Sequence, residues 1–344
     1  MARIALCGAG WIAAVHAAAV RATGDELVAV ASRSTQRAAD AAAKWRSQAV
    51  RLDELPAGAD VVVVATPPAD HAASAIRLLQ AGAAVLLEKP LCRTLDEADS
   101  IVAAAAANGE RLLYAENLAY APAFVEMAGR AASLGALRDL EVRTIQTLPT
   151  WGEFTSDGWG GGALFDLGVH PLALALLLAA AAGEGRPSAV SAALRGGEGH
   201  GTDEHAEVTL TFPSGLRPRV VASWQGDPDQ PVWDVQAASA TGVLRLELLP
   251  QVVLEHNGDP VAVPGADQTI LDQFGYTGQL RALVGDAAIG RRPVMSAAFG
   301  RDVLQVVCAA YSSAGNGGEP VALPFAGRRD LTPLELWRTG TPSP

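Results

Sequence analysis

The alternation of short apolar strands with helical segments over residues 1–120 constrains the fold more than any other feature of this chain. The run Asp60–Ala65 (DVVVVA) is too apolar and too rich in β-branched residues for anything but a central strand. Strands separated by helices form a parallel sheet that is covered on both faces. The pattern predicts strands at Arg3–Cys7, Glu26–Ser32, Asp60–Ala65, Ala83–Leu87 and Arg111–Ala115, with helices at Trp11–Ala22, Thr35–Trp45, His71–Ala81 and Leu95–Asn108.

After Pro122 the pattern changes to consecutive strands, which is typical of an antiparallel sheet. A chain of 344 residues also exceeds the usual size of one core. We expect two domains: an α/β domain over 1–120, and an α+β domain over 121–344 with a large, mostly antiparallel open sheet. A helix near 298–313 is expected to pack back on the first domain. Further predicted elements are strands at 136–148, 189–194, 206–212, 219–224, 232–238, 243–248, 252–254 and 320–323, and helices at 163–182, 267–289 and 298–313.

Charge and composition exclude some classes of partner. The formal net charge is −11, from 26 basic and 37 acidic residues, and no block of Lys or Arg occurs. Nucleic acid is therefore not expected as a partner, and we interpret the acidity as favouring solubility. The first ten residues lack the charged leader and long apolar core of a signal peptide. The apolar stretch Leu172–Ala182 is shorter than the ~20 residues of a membrane helix, so we expect no membrane partner and a cytoplasmic protein.

The three cysteines predict neither a metal site nor a disulfide framework. Cys7, Cys92 and Cys308 are widely spaced, and no pair has the spacing of zinc ligands. Cys7 lies in a predicted strand, where a small apolar residue fits. We therefore interpret all three as structural.

A glycine turn between the first strand and the first helix predicts a dinucleotide site. In Gly8-Ala9-Gly10-Trp11-Ile12-Ala13, Gly8 permits the tight turn, and Gly10 lets a pyrophosphate approach the backbone at the helix N-terminus. Ala13 replaces the third glycine, where only close packing is required. We expect Gly8, Gly10, Trp11 and Ile12 to contact a cofactor; the alternative is an ordinary turn.

The end of the second strand favours NADP(H) over NAD(H). NAD-specific sites usually place Asp or Glu there, but this chain has Ser32, Arg33 and Ser34. Arg33 is suited to a 2′-phosphate, with Ser34 and Arg37 as further donors. The alternative is that Arg33 is a solvated loop residue.

The segment Ala65-Thr66-Pro67-Pro68 predicts a loop at the carboxyl edge of the sheet, because two prolines prevent further ladder bonding. A dinucleotide crosses this edge, so Thr66 and Pro67 are expected cofactor contacts. Asp70 is expected to cap the next helix. For His71, capping and a cofactor contact both stay open.

Glu88-Lys89-Pro90 brings two charged residues to the end of an apolar strand. A bond before proline has a raised chance of being cis. An ammonium beside a nicotinamide is suited to hold a substrate oxygen, so Lys89 is the first catalytic candidate, and both Glu88 and Lys89 are candidate cofactor contacts. The alternative for this pair is a strand-end salt bridge.

Asp166 and His170 follow the run Gly160–Gly162 and lie one turn apart on the predicted helix, so we expect them on one face. A histidine suits the general base of alcohol oxidation or the acid of ketone reduction. Asp166 is expected to orient the imidazole or bind a substrate hydroxyl. A lone helix histidine is more often structural, but its combination with Asp166, the glycines and Lys89 favours catalysis.

In these motifs the chain resembles the glucose-fructose oxidoreductase/inositol dehydrogenase/MocA (Gfo/Idh/MocA) family. The resemblance implies a Rossmann domain, an open-sheet substrate domain that also carries the oligomer interface, and hydride transfer between NAD(P) and a sugar, polyol or diol. It also implies that Lys89, Asp166 and His170 match the family's catalytic triad. The motifs that carry it are GAGWIAAVHA, ATPPADH, AGAAVLLEKPL, AENLAYAPAF, GGGALFDLGVHPL and the C-terminal QLRALVGDAAIGRRPV and GRDVLQVVCAAYSSAGNGGEPVALP.

Two departures from the family pattern bear on the substrate. Ala173 stands where the family often has aspartate, and Ala119 where many members have arginine. Both losses argue against a phosphorylated or carboxylated sugar and favour a neutral or less polar substrate. The aromatic loop before the glycines lines the pocket or forms a hydrophobic lid. The candidate substrate residues are Asn117, Tyr120, Trp151, Asp157 and Trp159.

The sequence as a whole predicts an NAD(P)-dependent oxidoreductase that acts on a hydroxyl or keto group of a sugar, polyol or related small molecule. One alternative is a non-sugar diol dehydrogenase of the same family. Another is a catalytically silent, cofactor-binding regulator, against which the retained Lys89, Asp166 and His170 argue. An exposed face on an open sheet is unusual in a monomer, so we expect a homodimer or homotetramer through that sheet.

Overall fold

The computed structural model describes residues 1–197, 199–265 and 268–340. These residues form two compact units. The first unit combines Met1–Tyr120 with Thr269–Arg301, and the second combines Ala121–Gln268 with the chain from Asp302 onwards. The domain boundaries 1–120 and 121–344, and the packing of the helix near 298–313, stay predictions.

The secondary structure consists of strands and helices that we number in chain order. The strands are β1 (Arg3–Cys7), β2 (Glu26–Ala31), β3 (Gln48–Val50), β4 (Val61–Val64), β5 (Ala84–Leu87), β6 (Leu112–Tyr114), β7 (Leu137–Ile145), β8 (Ala189–Gly196), β9 (Asp203–Thr211), β10 (Arg219–Ser223), β11 (Val232–Ser239), β12 (Val243–Leu249), β13 (Val253–His256), β14 (Asp259–Pro260) and β15 (Val321–Ala322). The α-helices are α1 (Trp11–Thr23), α2 (Thr35–Trp45), α3 (His71–Gln80), α4 (Leu95–Ala107), α5 (Pro122–Leu134), α6 (Ala163–Asp166), α7 (Val169–Ala181), α8 (Ile270–Gln273), α9 (Tyr276–Ile289), α10 (Ala297–Gly315) and α11 (Pro333–Arg338). Short 3₁₀ turns lie at Leu52–Glu54, Pro68–Asp70 and Asn117–Tyr120.

The first unit is built on a six-stranded parallel sheet in the order β3-β2-β1-β4-β5-β6. This is the strand order of the doubly wound dinucleotide-binding fold, so the predicted Rossmann domain is confirmed. The strand β4 is buried along its whole length, as its four valines predict. Because β1, β4 and β5 are parallel neighbours in this order, their carboxyl ends lie side by side at one edge of the sheet, where such folds bind ligands.

The second unit contains a nine-stranded sheet in the order β14-β13-β12-β11-β7-β10-β9-β8-β15. The pair β7–β10 is parallel and the remaining pairs are antiparallel, so the predicted large, mostly antiparallel sheet is confirmed. Helices α5 and α7 pack against the sheet. Along β7 the residues alternate between buried and partly exposed, with Leu140 and Val142 buried and Glu141 and Arg143 partly exposed.

The single helix predicted over Ala163–Ala182 is wrong, because the chain breaks between α6 and α7. The amide of Gly168 bonds to the carbonyl of Ala163 at 2.9 Å, and that of His170 bonds to Leu167 at 3.2 Å, so the regular i to i−4 ladder is interrupted. Pro171 has no amide hydrogen with which to repair the ladder. Asp166 and His170 therefore do not share one continuous helix face.

Other boundaries also differ from the sequence predictions. The helix predicted over 267–289 is two helices, α8 and α9, separated by Gly275 in a left-handed conformation, and Asp267 lies outside the described residues. The sequence reading did not predict β3, α5 or α11. Pro122 and Pro333 each stand in the first turn of a helix, which is the position that proline favours.

The apolar helix α7 owes its composition to burial within the unit. It contacts β7 and β10 of the sheet and also α5, so nearly all of its faces are covered. Among the described residues, no helix combines the length and the apolar character that crossing a membrane requires.

Candidate functional site

The glycine turn after β1 has two different requirements at its two glycines. Gly8 has φ +130°, and a Cβ there would lie 2.3 Å from the carbonyl oxygen of Ala65. Only glycine fits at that position. At Gly10, the residue before α1, a Cβ would meet nothing within 4 Å. The space beside Gly10 is open for a ligand to approach the backbone.

The residues around this turn fit a dinucleotide. Helix α1 has thirteen residues, no side chain that caps its first amides and no acidic residue in its first turn, so these amides favour an anion. At the end of β4, the hydroxyl oxygen of Thr66 is buried without a hydrogen-bond partner among the described residues. Trp11 is exposed and Ile12 is half-buried, while Pro67 is exposed beside Thr66.

The end of β2 has a cation but also a competing carboxylate. Arg33 is exposed, and its Nη1 lies 3.6 Å from Oδ2 of Asp70. The Ser34 hydroxyl accepts a hydrogen bond from the amide of Arg37 at 3.2 Å and so caps α2. Ser32 is half-buried. Asp70 is the N-cap residue of α3, as predicted, but its carboxylate makes no capping hydrogen bond.

His71 is buried and joins two loops at the sheet edge. Its Nε2 lies 2.8 Å from the carbonyl oxygen of Thr66, and its Nδ1 lies 2.9 Å from that of Pro90. The ring therefore bridges backbone carbonyls instead of capping α3. Burial lowers the pKa of His71, although the two carbonyls and the charge of Glu88 oppose that shift. A contact between His71 and a cofactor stays a prediction.

Glu88 and Lys89 follow β5, and the peptide bond between Lys89 and Pro90 is cis. Glu88 is buried, with Oε1 located 2.7 Å from Nε2 of His16 and Oε2 accepting the amide of Lys89 at 3.0 Å. Burial raises the pKa of Glu88, but the hydrogen bond and charge of His16 and the nearby Lys89 outweigh it, so the net pKa is lowered. The ionised Glu88 carboxylate thus accepts hydrogen bonds from its neighbours. The side chain of Lys89 is half-buried.

His16 is a residue of this edge that the sequence reasoning missed. Besides its bond to Glu88, its ring lies 5.9 Å from the ring of Tyr276 in an edge-to-face arrangement. Burial, together with the charge of Glu88, raises the pKa of Tyr276 above its ordinary range. The sequence feature that could have identified His16 is its place as the one polar residue on the otherwise apolar, buried face of α1.

In the second unit, Asp166 ends α6 and His170 lies in the first turn of α7, and both are buried. The ring of Trp233, on β11, lies 5.5 Å from the ring of His170 at an angle of 40°. Its indole nitrogen donates to Oε1 of Gln146 at 3.2 Å. Trp233 pairs with Thr144 across the sheet. The sequence reasoning did not single out Trp233.

The loop before the glycine run forms an aromatic cluster around Phe154. Trp151 and Trp159 lie 4.7 and 4.6 Å from the Phe154 ring, and Trp224 lies 6.4 Å away. The indole nitrogens of Trp159 and Trp224 are buried without a partner in the described part of the chain. Trp233 also packs against this cluster, which therefore extends to the residue beside His170.

The remaining candidate substrate residues make contacts within their own units. Asp157 is exposed and accepts from Nη2 of Arg338 at 2.8 Å. Asn117 is buried, and its amide donates to the carbonyl of Phe274 at 2.7 Å. Burial raises the pKa of Tyr120 to about 12. Their substrate contacts stay predictions.

The structure thus groups the candidates by unit. Lys89 and the candidate cofactor residues belong to the first unit, and Asp166, His170 and the aromatic loop belong to the second. The catalytic roles of Lys89, Asp166 and His170 stay predictions.

Family models match both parts of the chain. Residues 2–116 match the model described as an oxidoreductase family with an NAD-binding Rossmann fold. Residues 128–241 match the GFO/IDH/MocA C-terminal domain. The predicted NAD(P)-binding Rossmann domain is therefore confirmed, while the preference between the two cofactors stays a prediction.

Three known proteins illustrate the similarity. The scyllo-inositol 2-dehydrogenase (NADP(+)) IolU of Bacillus subtilis is 30% identical over 52% of this chain and 58% of its own length. The D-glucoside 3-dehydrogenase of Escherichia coli is 32% identical over 51% of this chain and 53% of its own length. The chain thus spans little more than half the length of these curated relatives. The crystal structure of GenD2 from gentamicin A biosynthesis, in complex with NAD, superposes with a TM-score of 0.81, 28% identity, and coverage of 94% of this chain and 96% of that chain. With both domain models matched, the chain belongs to the Gfo/Idh/MocA oxidoreductase family.

Proposed function

We propose that this protein is an NAD(P)-dependent oxidoreductase that acts on a hydroxyl or keto group of a sugar, polyol or related small molecule. The observation that carries the proposal is the open backbone at Gly10, at the uncapped start of α1 in a Rossmann sheet. The Lys89 loop follows β5 of the same sheet. The second unit supplies the buried Asp166 and His170.

A bound nicotinamide would supply the acceptor or donor of hydride, and the residues of the chain would manage the proton. In this proposal the Lys89 ammonium donates a hydrogen bond to the substrate oxygen and stabilises its developing negative charge. His170 takes the hydroxyl proton during oxidation and returns it during reduction. Asp166 orients the imidazole or binds a neighbouring hydroxyl. Gly8, Gly10, Thr66 and the first amides of α1 would hold the pyrophosphate side of the cofactor.

For the cofactor we infer a preference for NADP(H). Arg33 is exposed, and the segment that follows β2, Ser32-Arg33-Ser34, has no Asp or Glu to accept from a ribose hydroxyl. The 3.6 Å separation from Asp70 makes that ion pair loose enough for a 2′-phosphate to compete for the guanidinium. Arg37, on the first turn of α2, is a second donor.

For the substrate we infer a neutral ring-shaped polyol or sugar. Ala173 is buried and leaves α7 without a charged group at that position. The aromatic cluster that ends at Trp233 suits the apolar C–H face of a sugar ring. The same cluster favours a second candidate, a non-sugar diol with a larger apolar part. A screen that includes both classes decides between them.

We further propose that the outer face of the nine-stranded sheet joins two copies of the chain. A depression of about 440 Å³ on β7, β11, β12 and β13 is lined by both signs of charge. Within this depression Arg143 pairs with Asp234, and Glu141 pairs with Arg219 of the neighbouring strand β10. Such mixed charge suits a symmetric contact between identical faces. Light scattering tests the dimer or tetramer, and a monomeric mass contradicts it. We keep a cytoplasmic location as part of the proposal, to be tested by cell fractionation.

The central experiment uses the fact that Lys44 and Lys89 are the only lysines in the sequence. Purified wild type, Lys89→Met and Lys44→Met are assayed with NADP⁺ and NAD⁺ against scyllo-inositol, methyl D-glucosides and trans-cyclohexane-1,2-diol. We expect Lys89→Met to lose turnover by at least about 100-fold, the scale of losing a donor to a developing oxyanion. Lys44 lies at the far end of α2, so Lys44→Met should retain wild-type turnover.

Cofactor binding is measured in parallel by energy transfer from tryptophan to NADPH and NADH. Lys89→Met should bind the reduced cofactor nearly as tightly as the wild type, because its proposed contact is to the substrate oxygen. Unchanged turnover in Lys89→Met contradicts the mechanism. Wild-type binding without turnover on any class of substrate would favour the regulator alternative.

A further inference from the structure

We propose that Asp203 and Tyr311 are positioning residues, which hold the glycine run and thereby set the places of Asp166 and His170. This inference rests on the proposed function, because it concerns the same proton-transfer residues. Asp203 begins β9 and Tyr311 lies on α10, and all four residues belong to the second unit.

The contacts form a closed set around one buried carboxylate. The amide of Gly162 donates to Oδ1 of Asp203 at 3.0 Å, and the amide of Leu164 donates to Oδ2 at 2.8 Å. The hydroxyl of Tyr311 donates to Oδ1 at 2.5 Å, and its oxygen lies 2.9 Å from the amide nitrogen of Gly162. Both carboxylate oxygens are thus occupied by the segment that starts α6 and by α10.

Close packing explains why this segment is rich in glycine. A Cβ on Gly162 would lie 2.1 Å from the backbone oxygen of Asp203. A Cβ on Gly161 would lie 2.3 Å from the Cβ of Phe165 and 2.9 Å from the hydroxyl of Tyr311. A side chain at either position would therefore push the loop away from the two residues. The glycines let the backbone reach the carboxylate, which the motif alone did not explain.

Backbone hydrogen bonds connect this anchor to the candidate catalytic residues. The amide of Asp166 bonds to the carbonyl of Gly162 at 2.9 Å, so the anchored glycine is the first acceptor of α6. Leu167 bonds to Ala163 at 2.8 Å, and His170 bonds to Leu167 at 3.2 Å. The helix breaks between Asp166 and His170, so no single helix spans the two residues, and these hydrogen bonds connect α6 to the first turn of α7.

Burial of the Asp203 carboxylate costs free energy, so the hydrogen bonds that it accepts are needed to offset that cost. Asp203 is 0% exposed, and burial raises its pKa, although the hydrogen bonds from Tyr311, Leu164 and Gly162 oppose the shift. Burial also raises the pKa of Tyr311 far above its ordinary range, together with the charge of Asp203. A buried acid that is bonded to the amides of Gly162 and Leu164 fixes those amides in one geometry.

The test follows His170 directly, without any substrate. The protein has six histidines, so a ¹³C-histidine spectrum is simple, and the His170→Gln spectrum assigns the His170 Cε1–H signal. We expect Tyr311→Phe and Asp203→Asn each to move or broaden that signal. The signals of His16 and His71, which belong to the first unit, should stay in place. Tyr311→Phe keeps the ring and serves as the milder variant if Asp203→Asn folds poorly.

Ser313→Ala is the matched control, because it also removes a buried hydroxyl from α10. The Ser313 hydroxyl donates to the carbonyl of Glu319 at 2.7 Å and accepts from the amide of Ala192 at 3.0 Å, so it does not touch the glycine run. This variant should lose stability but keep the wild-type His170 signal. A wild-type signal in both Tyr311→Phe and Asp203→Asn, with stability losses like that of Ser313→Ala, overturns the proposal.

Turnover gives a second readout that separates positioning from folding. On any substrate that the wild type converts, Tyr311→Phe should lower kcat by about tenfold to 100-fold, the range expected for a small displacement of reacting groups. Its affinity for NADPH should stay unchanged, since the Rossmann domain is in the other unit. An unchanged kcat in Tyr311→Phe contradicts the proposal. A failure of the proposed function shows separately, as a wild type without turnover.

Discussion

Nε2 of His16 lies 2.7 Å from Oε1 of Glu88, and both side chains are buried within the first unit. The other oxygen of Glu88 accepts the amide of Lys89 at 3.0 Å. The Glu88 carboxylate thus contacts both helix α1, which follows the glycine turn, and the loop of Lys89, the candidate catalytic lysine. The pair links two motifs that lie 72 residues apart in the sequence.

The first prediction is that removal of His16 is strongly destabilising. His16→Ala leaves a buried carboxylate without its strongest partner, and we expect a loss of about 3 kcal/mol in the free energy of unfolding. Urea denaturation at pH 7 measures it. The control is His205→Ala, because His205 faces Glu207 at 3.4 Å in a more exposed pair. His205→Ala should lower the free energy of unfolding by less than about 1 kcal/mol. Equal losses in the two variants contradict a special role for the buried pair of His16 and Glu88.

The second prediction concerns the pH dependence of the same carboxylate. The folded-state pKa of Glu88 lies below the reference value of 4.5. Stabilisation by ionised Glu88 is therefore complete above the unfolded-state pKa and is lost as the pH falls through the folded-state pKa. The difference in unfolding free energy between wild type and Glu88→Gln should be largest near neutral pH and shrink below pH 4.5. A difference that grows on acidification contradicts the direction of the shift.

The third prediction separates folding from cofactor binding at the glycine turn. Gly8→Ala should destabilise the fold, because φ is +130° and the new Cβ would meet a carbonyl oxygen at 2.3 Å. Gly10→Ala should fold with nearly wild-type stability, because nothing lies within 4 Å of its new methyl group. The methyl group would occupy the open space beside the backbone, where we expect the pyrophosphate to bind. The affinity for NADPH should therefore fall by at least about tenfold, or ~1.4 kcal/mol.

The control for the glycine turn is Gly285→Ala, on helix α9. Its new Cβ also meets nothing within 4 Å, and alanine is the better helix former, so this variant should be slightly stabilised and bind NADPH normally. Thermal unfolding and tryptophan-to-NADPH energy transfer measure both effects. Wild-type NADPH affinity in Gly10→Ala would place the pyrophosphate elsewhere.

The fourth prediction concerns cofactor preference. Arg33→Ala should weaken NADPH binding by about tenfold and leave NADH binding unchanged, because only the former has a 2′-phosphate for the guanidinium. Asp70→Asn should strengthen NADPH binding, since it removes the carboxylate located 3.6 Å from Arg33. Titrations at one fixed ionic strength compare the two cofactors. Equal effects of Arg33→Ala on NADPH and NADH contradict a contact between Arg33 and the 2′-phosphate.

Local signals made much of the first unit predictable. Helix α2 has the predicted limits, Thr35–Trp45, because Ser34 caps its first turn and its buried face repeats with a helical period. Strand β1 also has the predicted limits, since its apolar run stops at the glycine turn. In both cases the information that defines the element lies within a few residues of it.

The helix break and the contacts between distant segments could not be predicted in this way. The break between α6 and α7 depends on Gly168, whose Cβ would lie 2.6 Å from the carbonyl oxygen of Leu164. The anchor of the glycine run depends on Asp203, 41 residues beyond Gly162. The apolar run continues through the break, so the sequence favoured one long buried helix over Ala163–Ala182. Spacing likewise carried no signal for the pairing of His16 with Glu88.

The last prediction concerns Trp233, whose ring lies 5.5 Å from that of His170. A substrate that reaches His170 would meet this aromatic face, so Trp233→Ala should raise KM by about tenfold through the loss of ring contact. Trp233→Phe keeps an aromatic face and loses the bond to Gln146, so it should raise KM less. Steady-state kinetics on a substrate that the wild type converts measure both variants.

Trp45→Phe provides the control, because Trp45 is a buried tryptophan of the first unit and should leave KM unchanged. The comparison also tests the class of substrate. If Trp233 presents an apolar face, Trp233→Ala should impair conversion of a neutral ring polyol through KM and leave kcat within about threefold, as expected for uniform binding. A fall in kcat alone would instead make Trp233 a support for the imidazole, because stacking on His170 would then matter only in the transition state.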